Sequence, residues 1–114
     1  KHAMPDGGTL TISSEKERNK VIVKVIDEGH GIDPSHLTNI FTPFFTTKAP
    51  GEGTGLGLAI SYSILQQHNA KVKVNSKVGV GTEFKIAFGI IRKKCFEYSN
   101  LQPQSSNLLI TAFK

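Results

Sequence analysis

An α+β sandwich, with a mixed and mostly antiparallel sheet carrying helices on one face, is the architecture that the pattern of this chain predicts. Two alternating, β-branched segments stand side by side near the N-terminus, a helix-spaced apolar run occupies the middle, and two more alternating segments flank a glycine turn near residue 80. Strands grouped in pairs around helices favour this layering over a singly alternating parallel sheet.

The elements follow in order. Pro5-Asp6-Gly7-Gly8 is a strong turn, so any helix before it must end there. Thr9–Ser13 alternates as a strand, the charged stretch Glu15–Lys20 reverses the chain, and Val21–Ile26 returns as a second strand, which makes an antiparallel hairpin. Asp33 as N-cap and Pro34 in the first helical position open a short helix to about Ile40. Phe41–Pro50 has no clean period and joins the glycine run after it; long irregular segments inside compact domains are usually functional, often lids. Leu56, Ala59, Ile60, Ile64 and Leu65 fall at helical spacing, and Asn69 closes a helix that reaches His68. Val72–Asn75 and Thr82–Phe88 are strands around the turn Val78–Gly81. Residues 1–88 thus form the folded unit, while 89–114, rich in Ser, Asn and Gln with one apolar patch at Leu108–Ile110, read as a loosely held tail.

A chain of 114 residues with 38% hydrophobic and 20% charged content is one ordinary globular domain. Its net charge of +5 comes from basic residues that are scattered except for Arg92-Lys93-Lys94, with no aromatic-interleaved basic stripe of the kind that tracks nucleic acid. One cysteine, Cys95, excludes an internal disulfide and fits a reducing cytoplasm. His2, His30, His36 and His68 lack the paired spacing of zinc sites, and no apolar run approaches the roughly 20 residues that span a bilayer.

The most informative stretch is Gly51-Glu52-Gly53-Thr54-Gly55-Leu56-Gly57-Leu58. Four alternate glycines stop where a helix begins, leaving amides without a Cβ beside them next to unpaired N–H groups and the positive end of the helix dipole. That junction suits an anion, most often phosphate; a flexible loop before an ordinary helix is the plain alternative. The run is not followed by Lys-Ser/Thr, so it is no P-loop, and the hairpin-linked strands and glycine spacing do not fit a dinucleotide-binding βαβ unit or the eukaryotic-type protein kinase set.

Four motifs in order resemble the ATP-binding domain shared by sensor histidine kinases, gyrase-type topoisomerases, mismatch-repair ATPases and heat-shock chaperones, the Bergerat-type fold. Asp27-Glu28-Gly29-His30-Gly31 is similar to its D-x-G-x-G box, Phe41-Thr42-Pro43-Phe44-Phe45 to its F box, Gly53–Leu58 to its G-x-G-x-G box, and Gly79–Phe84 to its closing glycine-threonine strand. The string Pro43-Phe44-Phe45-Thr46-Thr47-Lys48 is close to the histidine-kinase branch.

The resemblance implies roles. Asp27 would accept a hydrogen bond from the adenine amino group, as an acceptor-only carboxylate can, against the plainer role of a strand-end turn residue. Gly29 and Gly31 would let the backbone pass the base, with Ile32 as apolar contact. Lys48 would reach the phosphates from the lid, or simply be solvated; Thr54 with the amides of Gly55, Leu56 and Gly57, after Gly53, would cradle them, and Thr82 would line the pocket. Phe41, Phe44 and Phe45 read as packing that anchors the lid rather than as a stacking platform. His30 occupies the variable position of its box and reads as an exposed loop residue; His36 and His68 read as helix-surface or end residues, and none of the histidines as a phosphoacceptor.

Lys1-His2-Ala3-Met4-Pro5-Asp6-Gly7-Gly8 is similar to the end of the family's first motif, whose Mg²⁺-holding asparagine would lie upstream of Lys1. The expected cofactors are therefore ATP and Mg²⁺, with no metal ligand to name here. The expected partners are a histidine-bearing dimerisation domain and a response regulator of a parent system, itself compatible with membrane anchoring; neither nucleic acid nor membrane is expected to touch this part. The leading function is the ATP-binding catalytic domain of a two-component sensor histidine kinase. An inactive nucleotide-binding or protein-interaction module is the alternative, and a DNA-acting relative a third.

Overall fold

The computed structural model of the chain describes residues 3–90 and 106–112. They form a five-stranded sheet and one α-helix: β1 (Gly8–Glu17), β2 (Lys20–Asp27), α1 (Gly57–Gln67), β3 (Lys71–Lys77), β4 (Gly81–Gly89) and β5 (Ser106–Ala112). The strand order is β3-β4-β2-β1-β5, and all four pairings are antiparallel. The α+β class holds, with an antiparallel sheet where a mixed one was expected and a single helix where two were.

The alternating pattern explains the sheet. Cross-strand register puts Ile12 opposite Val25, Val25 opposite Phe84, and Phe84 opposite Val74, so one face is apolar across four strands. The other face carries Glu15, Lys24, Lys85 and Lys73. The hairpin reversal is tighter than Glu15–Lys20: pairing continues to Glu17 opposite Lys20, and only Arg18 (φ +49°) and Asn19 turn the chain.

The predicted helix over 33–40 is not formed. Asp33 does start a turn, since its carbonyl accepts the His36 N–H (2.9 Å), but the bonds that follow, Leu37 to Pro34 (3.3 Å) and Asn39 to His36 (2.8 Å), skip three residues rather than four. Thr38, Asn39, Ile40 and Thr42 are weak helix formers, Pro43 closes the run, and so short a segment cannot offset helix nucleation. A chain of tight turns results.

Seven residues of the stretch read as a tail form a strand. Ser106–Ala112 pairs along β1 from Gly8 opposite Ala112 to Ser14 opposite Ser106. The β-prone run Leu108-Leu109-Ile110-Thr111 pairs along the edge of β1 that no other described strand occupies. The rest of the tail expectation, over 91–105 and 113–114, lies outside the described residues.

Helix α1 ends as its sequence predicts. Asn69 adopts φ +52°, the Asn69 N–H donates to Gln66 O (2.9 Å), and the Ala70 N–H donates to Leu65 O (2.9 Å). This is the paired C-terminal capping arrangement that usually employs glycine. Asn69→Gly should keep or raise the urea midpoint, whereas Asn69→Val should lower stability by about 1–2 kcal/mol, the cost of forcing a β-branched residue into the left-handed region. The helix rests on β3 and leaves Leu58, Ile60 and Ile64 exposed; Ile22, Ile40 and Ala70 are the buried apolar residues among those described. The core is thin. No described helix is long and apolar enough to cross a membrane.

Candidate functional site

A cavity of about 730 Å³ opens between the loop after β2, the turns over 33–44, the segment before α1 and the β3–β4 turn. It is built by clamping loops onto loops. Asp27 ends β2, and one of its carboxylate oxygens accepts the Gly29 N–H (2.9 Å), which bends the chain out of the strand. The His30 N–H then donates to Ala3 O (3.0 Å), and the His30 carbonyl accepts the Gly79 N–H from the β3–β4 turn (2.8 Å). Gly31 sits at φ +74°, and a Cβ there would lie 2.7 Å from the Lys77 carbonyl carbon and 2.9 Å from Val78 Cα. Only glycine fits, because both neighbours are backbone.

Beneath the cavity lies a hydroxyl network. The Ser76 Oγ accepts the Ile32 N–H (2.8 Å), donates to Gly81 O (3.0 Å) and lies 2.9 Å from the Thr82 Oγ1. A hydroxyl has one proton, so with Ser76 donating to the carbonyl, Thr82 is the donor to Ser76. Thr82 is buried and faces Asp27 directly across β2 and β4. Sequence reasoning missed Ser76, although it left a signal: Ser76 continues the Val72, Val74 alternation, placing a hydroxyl on the apolar register.

The lid side is held by a second clamp. The Phe44 N–H donates to Gly55 O (3.0 Å), with Phe44 at φ +65° and Gly55 at φ +66°. A Cβ on Gly55 would come within 2.5 Å of the Phe44 carbonyl carbon, so the glycine of the run serves this contact as well as any ligand. Positive φ is rare for a phenylalanine and turns its side chain outward; Phe44 is 74% exposed, which corrects its expected packing role. Phe41 stacks on Tyr62 of α1 at 4.5 Å between ring centroids. Phe45 lines the cavity and meets His36 edge-on at 5.6 Å. His36 is therefore half-buried beside the cavity rather than on a helix surface; exposed His30 also lines it, and His68 is the exposed C-cap of α1.

The glycine run and the lid lysine converge. The Lys48 side chain lies over Gly53, so close that a Cβ there would sit 2.9 Å from Cδ and 3.7 Å from Nζ. The Thr54 Oγ1 accepts the Leu56 N–H at 3.4 Å, and α1 starts at Gly57 with no side-chain cap and no acidic residue in its first turn. The first intrahelical donor is the Ile60 N–H, which leaves the amides of Gly57, Leu58 and Ala59 for a ligand or water. With Lys48 nearby, this corner is electropositive.

Of the residues expected from sequence, Gly31, Ile32, Phe45, Lys48, Gly53, Thr54, Gly55 and Gly57 line the cavity together. Asp27, Gly29, Leu56, Thr82, Phe41 and Phe44 do not line it; Asp27, Gly29 and Thr82 sit at the strand ends under its floor. Thr46, Thr47, Ile40, Leu58, Val78 and Asp33 also line it. The Asp33 carboxyl is held below its ordinary value of 3.8 by the Ser35 hydroxyl first and the Ser35 amide second. Its stabilising contribution is present at neutral pH and lost as pH falls below that value.

Comparison with known proteins decides what this arrangement is. Residues 1–90 match the model of the histidine kinase-, DNA gyrase B- and HSP90-like ATPases. The chain belongs to that family. Among its relatives, the sensor histidine kinase ZraS of Salmonella typhi is 45% identical over 94 residues, covering 82% of this chain, and sporulation kinase C of Bacillus subtilis is 42% identical over 84 residues, covering 74%. The chain spans about a fifth of the length of these curated relatives, 20% and 19% respectively. Among solved structures, a nucleotide-free catalytic domain of histidine kinase ThkA superposes with TM-score 0.66 at 33% identity, over 78% of this chain and 58% of that one. The mycobacterial sensor histidine kinase MprB superposes with TM-score 0.63 at 26% identity, over 75% and 58%. The family is one of ATPases. A cradle of free amides and one lysine at a helix start is chemistry that fits a polyphosphate.

Proposed function

We propose that this domain holds ATP for phosphoryl transfer to a histidine on a separate dimerisation domain, as the catalytic part of a two-component sensor histidine kinase in the cytoplasm. The observation that carries this reading is the convergence of Lys48, Gly53, Thr54, Gly55 and Gly57, at the open amides of α1, on the same cavity as Gly31 and Ile32. The phosphates lie at the α1 end and the base at the β2 end. The second Asp27 oxygen accepts the adenine amino group while the first stays on the Gly29 amide. In the transfer, an unprotonated imidazole nitrogen attacks the γ-phosphorus, an N–P bond forms, the bond to the bridging oxygen breaks, and ADP leaves with the electron pair. The domain contributes positioning and charge stabilisation to this step. A response regulator would take the phosphoryl group next.

Mg²⁺ would arrive with the triphosphate. Among the described residues no group of three or more His, Cys, Asp or Glu could hold a metal ion.

The test is transfer of labelled γ-phosphate from ATP with Mg²⁺ to a supplied histidine-bearing helical hairpin. Acid-labile label on the hairpin that requires this domain is the expected result. ATP binding without transfer would support the second reading, a nucleotide-binding interaction module, which the exposed Leu58, Ile60 and Ile64 of α1 favour.

A further inference from the structure

The sheet face opposite the nucleotide cavity has a charge arrangement that neither the fold nor ATP binding requires. Lys24 on β2 pairs in register with Lys85 on β4, and Lys85 with Lys73 on β3, so three lysines form one row across three adjacent strands. Directly opposed residues in antiparallel strands have Cα atoms about 4.5–5.5 Å apart, and like charges so placed are destabilising. Lys71 extends the patch two residues along β3. Strand alternation puts these lysines on the face away from Asp27, Ser76 and Thr82, leaving the cavity accessible.

Lysines on an edge strand deter edge-to-edge aggregation, which accounts for Lys71 and Lys73 on β3. It does not account for Lys85 and Lys24, which lie on interior strands. Glu15 bonds Lys24 at 3.0 Å and keeps it charged, whereas Lys73 and Lys85 make no ion pair among the described residues. Glu83, two residues before Lys85 on β4 and bonded to Asn75 at 3.4 Å, adds a negative point to the same face. A uniformly anionic surface such as a lipid headgroup plane would oppose Glu83 with like charge. A polypeptide can match both signs.

We propose that the Lys24–Lys85–Lys73 row is a docking surface for an acidic segment of a partner protein, with carboxylates over Lys73 and Lys85 and a neutral or basic residue over Glu83. This stands independently of the nucleotide reading.

A peptide of alternating Glu and Thr, titrated into the ¹⁵N-labelled chain, should shift the amides of Lys24, Lys73 and Lys85 and leave Lys48 and Gly53–Gly57 unmoved. Affinity should fall about tenfold or more between about 0.1 M and 1 M salt, as the screening length shrinks from about 10 Å to about 3 Å. The double variant Lys73→Glu/Lys85→Glu should lose the binding. Lys16→Glu/Arg18→Glu, with the same charge change at the β1–β2 turn, should keep it within about twofold. Lys73→Gln/Lys85→Gln removes the repulsion without adding charge and gives a second, fold-preserving test. Equal losses in both Glu double variants, shifts centred on Lys48, or binding to phosphatidylserine vesicles with none to the peptide would each overturn the proposal.

Discussion

Replacing Asp27 with asparagine should weaken ATP binding by about ten- to a hundredfold while leaving the domain folded. The substitution keeps the shape and an oxygen to accept the Gly29 N–H, which bends the chain out of β2. It removes the negative charge, and a hydrogen bond to a charged acceptor is worth about 1.5–3 kcal/mol. Worse, the amide NH₂ would face the amino group of adenine, donor against donor, whenever the amide oxygen stays on Gly29. Guanine presents a carbonyl at that edge, so the same substitution should narrow the preference for ATP over GTP. Titration of wild type and variant with both nucleotides, alongside their far-UV spectra, reads the two effects separately.

The second large effect is on stability. Gly31→Ala should cost about 2–4 kcal/mol, from the left-handed φ of +74° and from a Cβ driven against the backbone of Lys77 and Val78. Neither neighbour is a flexible side-chain end that can yield. Gly57→Ala is the contrasting case: nothing lies within 4 Å of its Cβ, and alanine is the better helix former, so the helix should be unharmed or slightly stabilised. Equal urea midpoints for the two variants would contradict the clamp between the β2 loop and the β3–β4 turn. The effect matters because a domain has only about 5–15 kcal/mol in hand, and this one has few buried apolar residues.

These residues also show what sequence can and cannot reveal. The strands were legible because alternation is a local pattern: Val21, Val23 and Val25 mark the apolar face without knowledge of any partner strand. The glycine run was legible because alternate glycines before a helix start are a local pattern, whereas a role for Lys48 came only from the resemblance to the histidine-kinase branch. The segment 33–40 misled because Asp33-Pro34 is a genuine start signal and the local turn does form, but the residues after it cannot sustain a helix. Phe44 misled because its outward direction depends on a bond to Gly55, eleven positions away. Ser76 was hidden for the same reason: its three partners come from Ile32, Gly81 and Thr82, and no local rule joins them. Strand β5 depends on the free edge of β1, a property of the assembled sheet and not of residues 106–112.

One measurement tests the central claim most directly: titration of the ¹⁵N-labelled chain with ATP, followed residue by residue. Saturable shifts should appear at Gly31, Ile32, Lys48, Gly53–Gly57 and Thr82, with Ser76 following through its hydroxyl network, and GTP should produce them only at higher concentration. A folded spectrum that ATP leaves unchanged, or shifts confined to the lysine face of the sheet, would contradict the assignment of this cavity to ATP.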